Sequence, residues 1–398
     1  MKKLMMLMAL IAVLGLVACA PGGPAGGPGG GPAAAEKSAA DSGDAGDAEA
    51  SVEESDGPQL AAELSVYNWA DYIDEQILAD YEAEYGVKIT YDTYASNEDL
   101  LAKLQAGATG YDVIVPSDYM VDIMIDLELL AKVDTGSLSN IGNMDPQFMN
   151  APFDPGNEHC VPYQWGTTGI GYRAGNAFFE ENPPTSWSFI FDPAMLEQYA
   201  GDGINVLNDP RELPGAAAIY LGLSPNTTDP EELNQILETI LAAKPFWKTF
   251  NSEDYPSSLL VPDEVVISQG WSGGVAQAYY ETVNEETGDG NWYYSIPDEG
   301  AVKWLDNICI TASSERYDTA VHFMNYLLDA QVGASITNFV YYGSPNLAAN
   351  EFILPEILED PSIYPPAEVM DKLQWLTEVD DESVLLYDEL WTAVKAAQ

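Results

Sequence analysis

From Glu63 onward the chain alternates between short runs suited to strands and longer runs with helical periodicity, and that alternation restricts the fold more than any other feature. Leu64 to Trp69 predicts a strand, and Ile73, Ile77, Leu78 and Tyr81 space an amphipathic helix directly behind it. Val87 to Tyr94 predicts a second strand. Ser96-Asn97-Glu98-Asp99 reads as a capping box opening a helix that ends near Gly107, Tyr111 to Val115 as a third strand, and Asp118 to Leu130 as another helix. Strands separated by helices imply parallel βαβ units, because a parallel connection needs a long crossover. A strand at Thr168 to Tyr172 follows Pro152 to Trp165, whose prolines, aromatics and Asn mark a crossing between lobes. Further helices are predicted at 230–243, 275–283 and 316–328, with a strand at Val265 to Ser268. The last of these helices carries the apolar stripe Ala320, Phe323, Met324 and Leu327.

The N-terminal end has a different character. Met1-Lys2-Lys3, the apolar run Leu4 to Val17 and Ala18-Cys19 make a signal peptide over residues 1–19, its apolar run shorter than the ~18 apolar residues a span needs. Leu16-Val17-Ala18-Cys19 resembles the lipobox of bacterial lipoproteins, which implies that Cys19 carries a lipid anchor. Residues 20–59 are Gly, Pro, Ala, Ser, Asp and Glu with little to bury, so they are expected to be a disordered tether. About 340 residues remain, more than one core usually holds, and two lobes are expected.

With 64 Asp plus Glu against 14 Lys plus Arg, the formal charge of −50 argues against nucleic acid and anionic ligands. The acid is spread along the chain and reads mostly as solvated surface, so a single carboxylate carries little weight by itself. Cys160 and Cys309 are left once Cys19 is used; a disulfide and two buried thiols are both compatible with an oxidising compartment.

Catalytic chemistry has one candidate. Gly270-Trp271-Ser272-Gly273-Gly274 satisfies the G-x-S-x-G nucleophile elbow and is followed by Asp306 and His322, which would make the protein a serine esterase. Against this, no His-Gly-Gly segment precedes it, and His322 falls inside a predicted amphipathic helix. With two histidines and no ligand pair at a usual spacing, no metal is expected, and without a phosphate-binding glycine loop no nucleotide cofactor. What recurs is Trp or Tyr beside Asp or Glu in predicted loops. Examples are Trp69, Asp71 and Tyr72, then Ser117-Asp118-Tyr119, Asp209 with Glu212, Trp271, Trp304 with Asp306, and Tyr341-Tyr342. Carboxylates for each ammonium and aromatic faces for charge and methylenes are what an organic cation requires.

These segments resemble the spermidine/putrescine-binding proteins of bacterial ABC importers. The resemblance runs in order from about Leu64 to the C-terminus, through Tyr67-Asn68-Trp69-Ala70-Asp71-Tyr72, Tyr111 to Ser117, Asn140 to Pro155, Pro162 to Gly171, Gly222 to Pro230, Ser344 to Ala349 and Ile363 to Pro366. It implies a two-lobe α/β periplasmic-binding fold, type II-like, with 60–167 plus 305–350 in one lobe and 168–304 plus 351–398 in the other. The ligand would lie between the lobes, held by Trp69, Asp71, Tyr72, Ser117, Tyr119, Asp209, Glu212, Trp271, Trp304, Asp306 and Tyr342. By the same resemblance the protein is a monomer that binds without catalysis and hands a polyamine to permease subunits, from the periplasm or cell surface, touching the membrane only through its anchor.

Ala70 stands where the family usually has Ser or Thr. Putrescine-preferring relatives tend to carry Asp at the position of Gly274 and Phe at that of Trp304, while Asp209 matches the spermidine branch. Leu376 falls where that branch has Gln, and Ile296 to Ala301 is closer in texture to the putrescine branch. The balance favours spermidine over putrescine; a receptor of the same fold for another small solute is the further alternative.

Overall fold

A computed structural model describes residues 59–107 and 110–397; the predicted signal peptide with Cys19, and the tether up to residue 58, lie outside the described residues. In chain order the strands are β1 (Glu63–Trp69), β2 (Lys88–Tyr94), β3 (Val113–Ile114), β4 (Cys160–Arg173), β5 (Ile204–Val206), β6 (Thr249–Phe250), β7 (Ile267–Trp271), β8 (Trp292–Ser295), β9 (Val302–Ile310) and β10 (Gln374–Trp375). They join in the order β2-β1-β3-β9-β4-β7-β5-β6, with β10 beside β9 and β8 beside β4.

Local signals explain the first units. Asp74 caps the helix Glu75–Tyr85 by accepting from the Gln76 N–H, and Gly86 ends it at φ 71°, a left-handed turn that glycine takes without strain. The Ser96 hydroxyl accepts from the Asp99 N–H and starts the helix Asn97–Gln105. Ile77, Leu78 and Tyr81 turn inward as their spacing predicts. β1 is parallel to β2 and β3, and β5 is parallel to β6 and β7, so the βαβ expectation holds at both ends of the sheet. It fails in the middle, where β3–β9, β9–β4, β4–β7 and β4–β8 are all antiparallel.

The central strand corrects the sequence reading most. β4 starts at Cys160, inside the segment read as an irregular crossing, and continues to Arg173. Its residues 160–171 are buried on both faces, so no polar alternation marks it. Pro162 hides it further, since proline lacks the N–H that a central strand donates; the register shifts between Pro162 and Gln164, and that irregularity accommodates the ring. The strand changes partner along its length: Cys160 to Thr167 pair with β9, whereas Thr168 to Tyr172 pair with β7. Elsewhere the differences are small. The helix Asp118–Asp126 stops short of Leu130, which bridges to Thr311 instead.

Two indoles anchor the interior beyond the pocket. Trp187 and Trp292 are fully buried and donate to the carbonyls of Gly300 (2.9 Å) and Leu260 (2.7 Å), so neither N–H is left unpaired. No helix among the described residues is long and apolar enough to cross a membrane. The protein has an α/β fold of two lobes.

The two cysteines, left open above, are directly opposed on β4 and β9 with Cα atoms 4.5 Å apart, and they form a disulfide. The link closes a sequence separation of 149 residues. A loop of this length implies about 3–5 kcal/mol of stabilisation through the unfolded chain. The Cys160→Ser/Cys309→Ser protein is therefore expected to lose about that much in urea unfolding. A midpoint unchanged from that of the oxidised protein would show that the pair contributes no cross-link.

Candidate functional site

The carboxyl ends of β1 and β3, the start of the helix Asp118–Asp126, the start of the helix Glu212–Tyr220, the end of β7 and the middle of β9 converge on one cleft of about 930 Å³, open mouth included. In open α/β sheets this is where ligands lie. Every site residue named from the sequence lines it: Trp69, Asp71, Tyr72, Ser117, Tyr119, Asp209, Glu212, Trp271, Trp304, Asp306 and Tyr342.

The first wall follows from how β1 ends. Asp71 adopts φ 49°, in the left-handed region where Asp is tolerated better than most residues, and the turn leaves its side chain exposed at the rim while Tyr72 goes inward. The Trp69 indole N–H donates to the Val115 carbonyl at 2.9 Å, and its ring packs on Tyr94 at 4.8 Å. Trp69 also meets Trp271 from the opposite side, with centroids 6.2 Å apart and planes at 69°.

Asp306 forms the floor. The Tyr72 hydroxyl donates to its Oδ2 and the Ser117 hydroxyl to its Oδ1, both at 2.6 Å. Ser117 is held in turn by Asn97, which accepts from the Ser117 N–H and donates to the hydroxyls of Ser117 and Tyr119, all at 3.1 Å. Burial drives the Asp306 carboxyl up to about 7, and the hydroxyls of Ser117 and Tyr72 only partly oppose that rise. Trp304 and Tyr342 stand edge to face beside it at 5.1 Å. Trp304 reaches this place because Gly166 has no side chain: a Cβ there would lie 2.6 Å from the indole ring.

The other end is built on Asp209. Its Oδ1 accepts from the N–H groups of Arg211 (2.9 Å) and Glu212 (2.8 Å), which fixes the entry to the helix Glu212–Tyr220. Glu212 accepts from the Trp271 indole at 3.4 Å, a long bond, and its Oε2 is buried without a partner. Burial, then the Asp209 charge, lift Glu212 to about 8; Asp209 is raised as well, chiefly by burial. Behind them Glu98 accepts from the Tyr119 hydroxyl at 3.0 Å and is lifted to about 7, again by burial first and Asp209 second. The Arg211 guanidinium lies over the rings of Tyr119 (5.2 Å) and Tyr387 (4.8 Å).

Some lining residues escaped the sequence reading. Asn97 was visible only as part of a capping box, and Asp118, the acid of the Ser117-Asp118-Tyr119 grouping, was not named as a site residue, although it is buried with Oδ2 unpartnered. Tyr94, Tyr255 and Gln277 also face the cleft, and Leu376 occupies the place expected for Gln. Asp118, Asp209, Glu212 and Asp306 line the cleft, with Glu98 behind Tyr119 and Arg211 as a neighbouring cation. Such a site repels anions and suits a multiply charged organic cation whose apolar parts lie against Trp and Tyr faces.

The esterase constellation does not assemble. Ser272 begins the helix Ser272–Glu281 after β7, as the elbow pattern requires, but its hydroxyl accepts from the Thr167 N–H at 3.4 Å. His322 pairs with the Tyr81 hydroxyl at 3.0 Å and packs on Tyr85, whereas Asp306 is held by Tyr72 and Ser117. Among the described residues no hydrogen bond links any two of Ser272, Asp306 and His322.

Comparison with known proteins agrees with this geometry. The sequence pattern of the family described as bacterial extracellular solute-binding protein matches residues 76–365. The chain is 36% identical over 340 residues to the putrescine-binding periplasmic protein SpuD of Pseudomonas aeruginosa, a match covering 84% of this chain and 92% of the relative. It is also 36% identical over 348 residues to the putrescine-binding periplasmic protein PotF of Escherichia coli, covering 85% and 94%. Among solved structures it resembles the spermidine/putrescine ABC transporter substrate-binding protein PotD of Streptococcus pneumoniae, with TM-score 0.67, 31% identity, and 84% and 99% of the two chains covered.

The raised carboxyls set a pH dependence. With folded values near 7 for Asp306 and 8 for Glu212, against about 4 in an unfolded chain, the folded protein retains protons that the unfolded chain releases. Their contribution therefore favours folding at low pH and is lost as pH rises from about 5 through 8. The ligand-free protein is expected to lose stability over that range, and Glu212→Gln to fall less steeply. Identical pH slopes for the two proteins in urea unfolding would contradict the assignment.

Proposed function

The chain belongs to the bacterial extracellular solute-binding protein family, and we propose that it captures polyamines and delivers them to an ABC permease. Members of this family bind solute rather than transform it, and the protein is not an enzyme. The observation that carries the polyamine reading is the run of buried carboxyls framed by Trp and Tyr rings within a single cleft.

In this reading Asp306, steadied by Tyr72 and Ser117, receives one ammonium, and Glu212 with Asp209 receives a terminal one. Trp271, Trp304, Trp69 and Tyr342 line the methylenes, each good cation–π contact adding roughly 0.5–2 kcal/mol. Tyr119 positions the acidic end and Asp71 guards the rim. Spermidine is favoured over putrescine because the cleft offers more carboxyls than the two ends of a diamine engage. The lobes divide at Thr167/Thr168 and near Trp304; the change of β4 partner at that point supports the division. The protein works as a monomer in the periplasm or at the cell surface, held there by lipid on Cys19; the periplasmic relatives support the compartment.

Calorimetry on the purified protein tests the reading: spermidine is expected to bind more tightly than putrescine. No binding of spermidine, putrescine or spermine at moderate salt would overturn it. Asp306→Asn is expected to weaken binding by about 100-fold or more, since it leaves a desolvated ammonium unpaired at a cost of about 3–5 kcal/mol. Near-native affinity would remove Asp306 from the site.

A further inference from the structure

Between the Asp306 floor and the Asp209–Glu212 end lies a carboxylate that neither group of contacts accounts for. Asp118 follows Ser117, whose hydroxyl binds Asp306, and precedes Tyr119, whose ring lies under the Arg211 guanidinium. Asp118 lines the cavity, close enough to Asp306 and to Glu212 to interact electrostatically with both. It is 2% exposed. Its Oδ1 accepts from the Tyr119 N–H at 2.8 Å, and its Oδ2 is buried with no hydrogen-bond partner.

A structural role explains only half of this side chain. Asp118 is the first residue of the helix Asp118–Asp126, so an acid there complements the helix dipole. One accepting oxygen is enough for that role, and Asn supplies it as well. The second oxygen, desolvated and unpaired, is a net penalty unless something cationic meets it. The charged groups facing it are Asp306 on β9, Glu212 on the helix Glu212–Tyr220 and Arg211 on the preceding loop. Burial is the leading cause of its raised pKa and the Asp306 charge adds to the rise, while the N–H groups of Tyr119 and, from beyond strict hydrogen-bond geometry, Leu305 oppose it, as does Arg211.

We infer that Asp118 is a further ligand-binding carboxylate, which takes the internal ammonium of a triamine and so separates triamines from diamines. The inference rests on the polyamine reading and deepens it. A diamine held at Asp306 and Glu212 places only methylenes against Asp118, leaving its second oxygen unpaired. A triamine places a secondary ammonium there and forms a charge-assisted hydrogen bond.

The test is Asp118→Asn, which keeps the shape and the Oδ1 acceptor, titrated by calorimetry at pH 8 with spermidine and with putrescine. Spermidine is expected to bind about tenfold or more weakly, while putrescine stays within about threefold of wild type. Asp122→Asn, one turn along the same helix and not part of the cleft lining, removes the same charge and is expected to leave the ratio unchanged. Equal losses for both ligands, no loss for either, or the same shift in ratio from Asp122→Asn would each overturn the inference. Asp118→Ser, compared with Asp118→Asn by thermal unfolding, guards against a folding defect: the selectivity change should persist in both. Should the wild-type protein bind neither polyamine, the proposed function fails, and this outcome is distinct from a wild type that binds both while Asp118→Asn keeps its ratio.

Discussion

Carboxylates removed from water without enough positive charge beside them are the condition on which the rest of this structure depends. An isolated carboxylate in a protein interior costs several kcal/mol, and it answers by holding a proton or by finding a cation. Here Asp306, Glu212 and Glu98 are all raised by burial, and among the described residues Arg211 is the cation that offsets Glu98, Asp118 and Asp209. The ligand-free cleft is thus a destabilised arrangement held by its surroundings. Ligand ammoniums replace the missing countercharge, and the aromatic walls keep water from competing for them.

The surroundings show how the arrangement is held. Asn97 positions Ser117, Ser117 and Tyr72 position Asp306, and the Tyr163 hydroxyl fixes the Tyr72 carbonyl at 2.7 Å. The disulfide ties β4 to β9 three residues beyond Asp306, so the strand that carries this acid is covalently joined to the strand shared by both halves of the sheet. On the far lip Tyr341 takes φ 59°, stacks on Tyr280 at 4.6 Å and turns Tyr342 into the cleft. Left-handed Asp71 does the same for Tyr72. Backbone strain of this kind persists where packing over-determines it and where a side chain must be aimed.

Much of this was legible in the sequence, for identifiable reasons. The capping box at Ser96 and the spacing of Ile77, Leu78 and Tyr81 report local physics, and the helices Asn97–Gln105 and Glu75–Tyr85 follow them closely. The grouping of rings with acids at strand ends marked the cleft lining. The first half of the central strand was missed because double-sided burial and Pro162 erase its pattern, and the antiparallel centre because strand order depends on contacts distant in sequence. Glu98 was passed over, and Asp118, though quoted beside Tyr119, was not named as a site residue, since in a chain this acidic composition makes any one acid uninformative. Only burial separates them from the solvated majority.

The central claim is that ligand ammoniums take over from protons at the cleft carboxyls. Calorimetry of spermidine binding at pH 7 in buffers of differing ionisation enthalpy counts the protons exchanged. With Asp306 near 7 and Glu212 near 8 before binding, and both ionised against ammoniums afterwards, release of between roughly one and two protons per ligand is predicted. Binding with no proton release would contradict the account, since it would mean that the carboxyls are already ionised in the empty cleft.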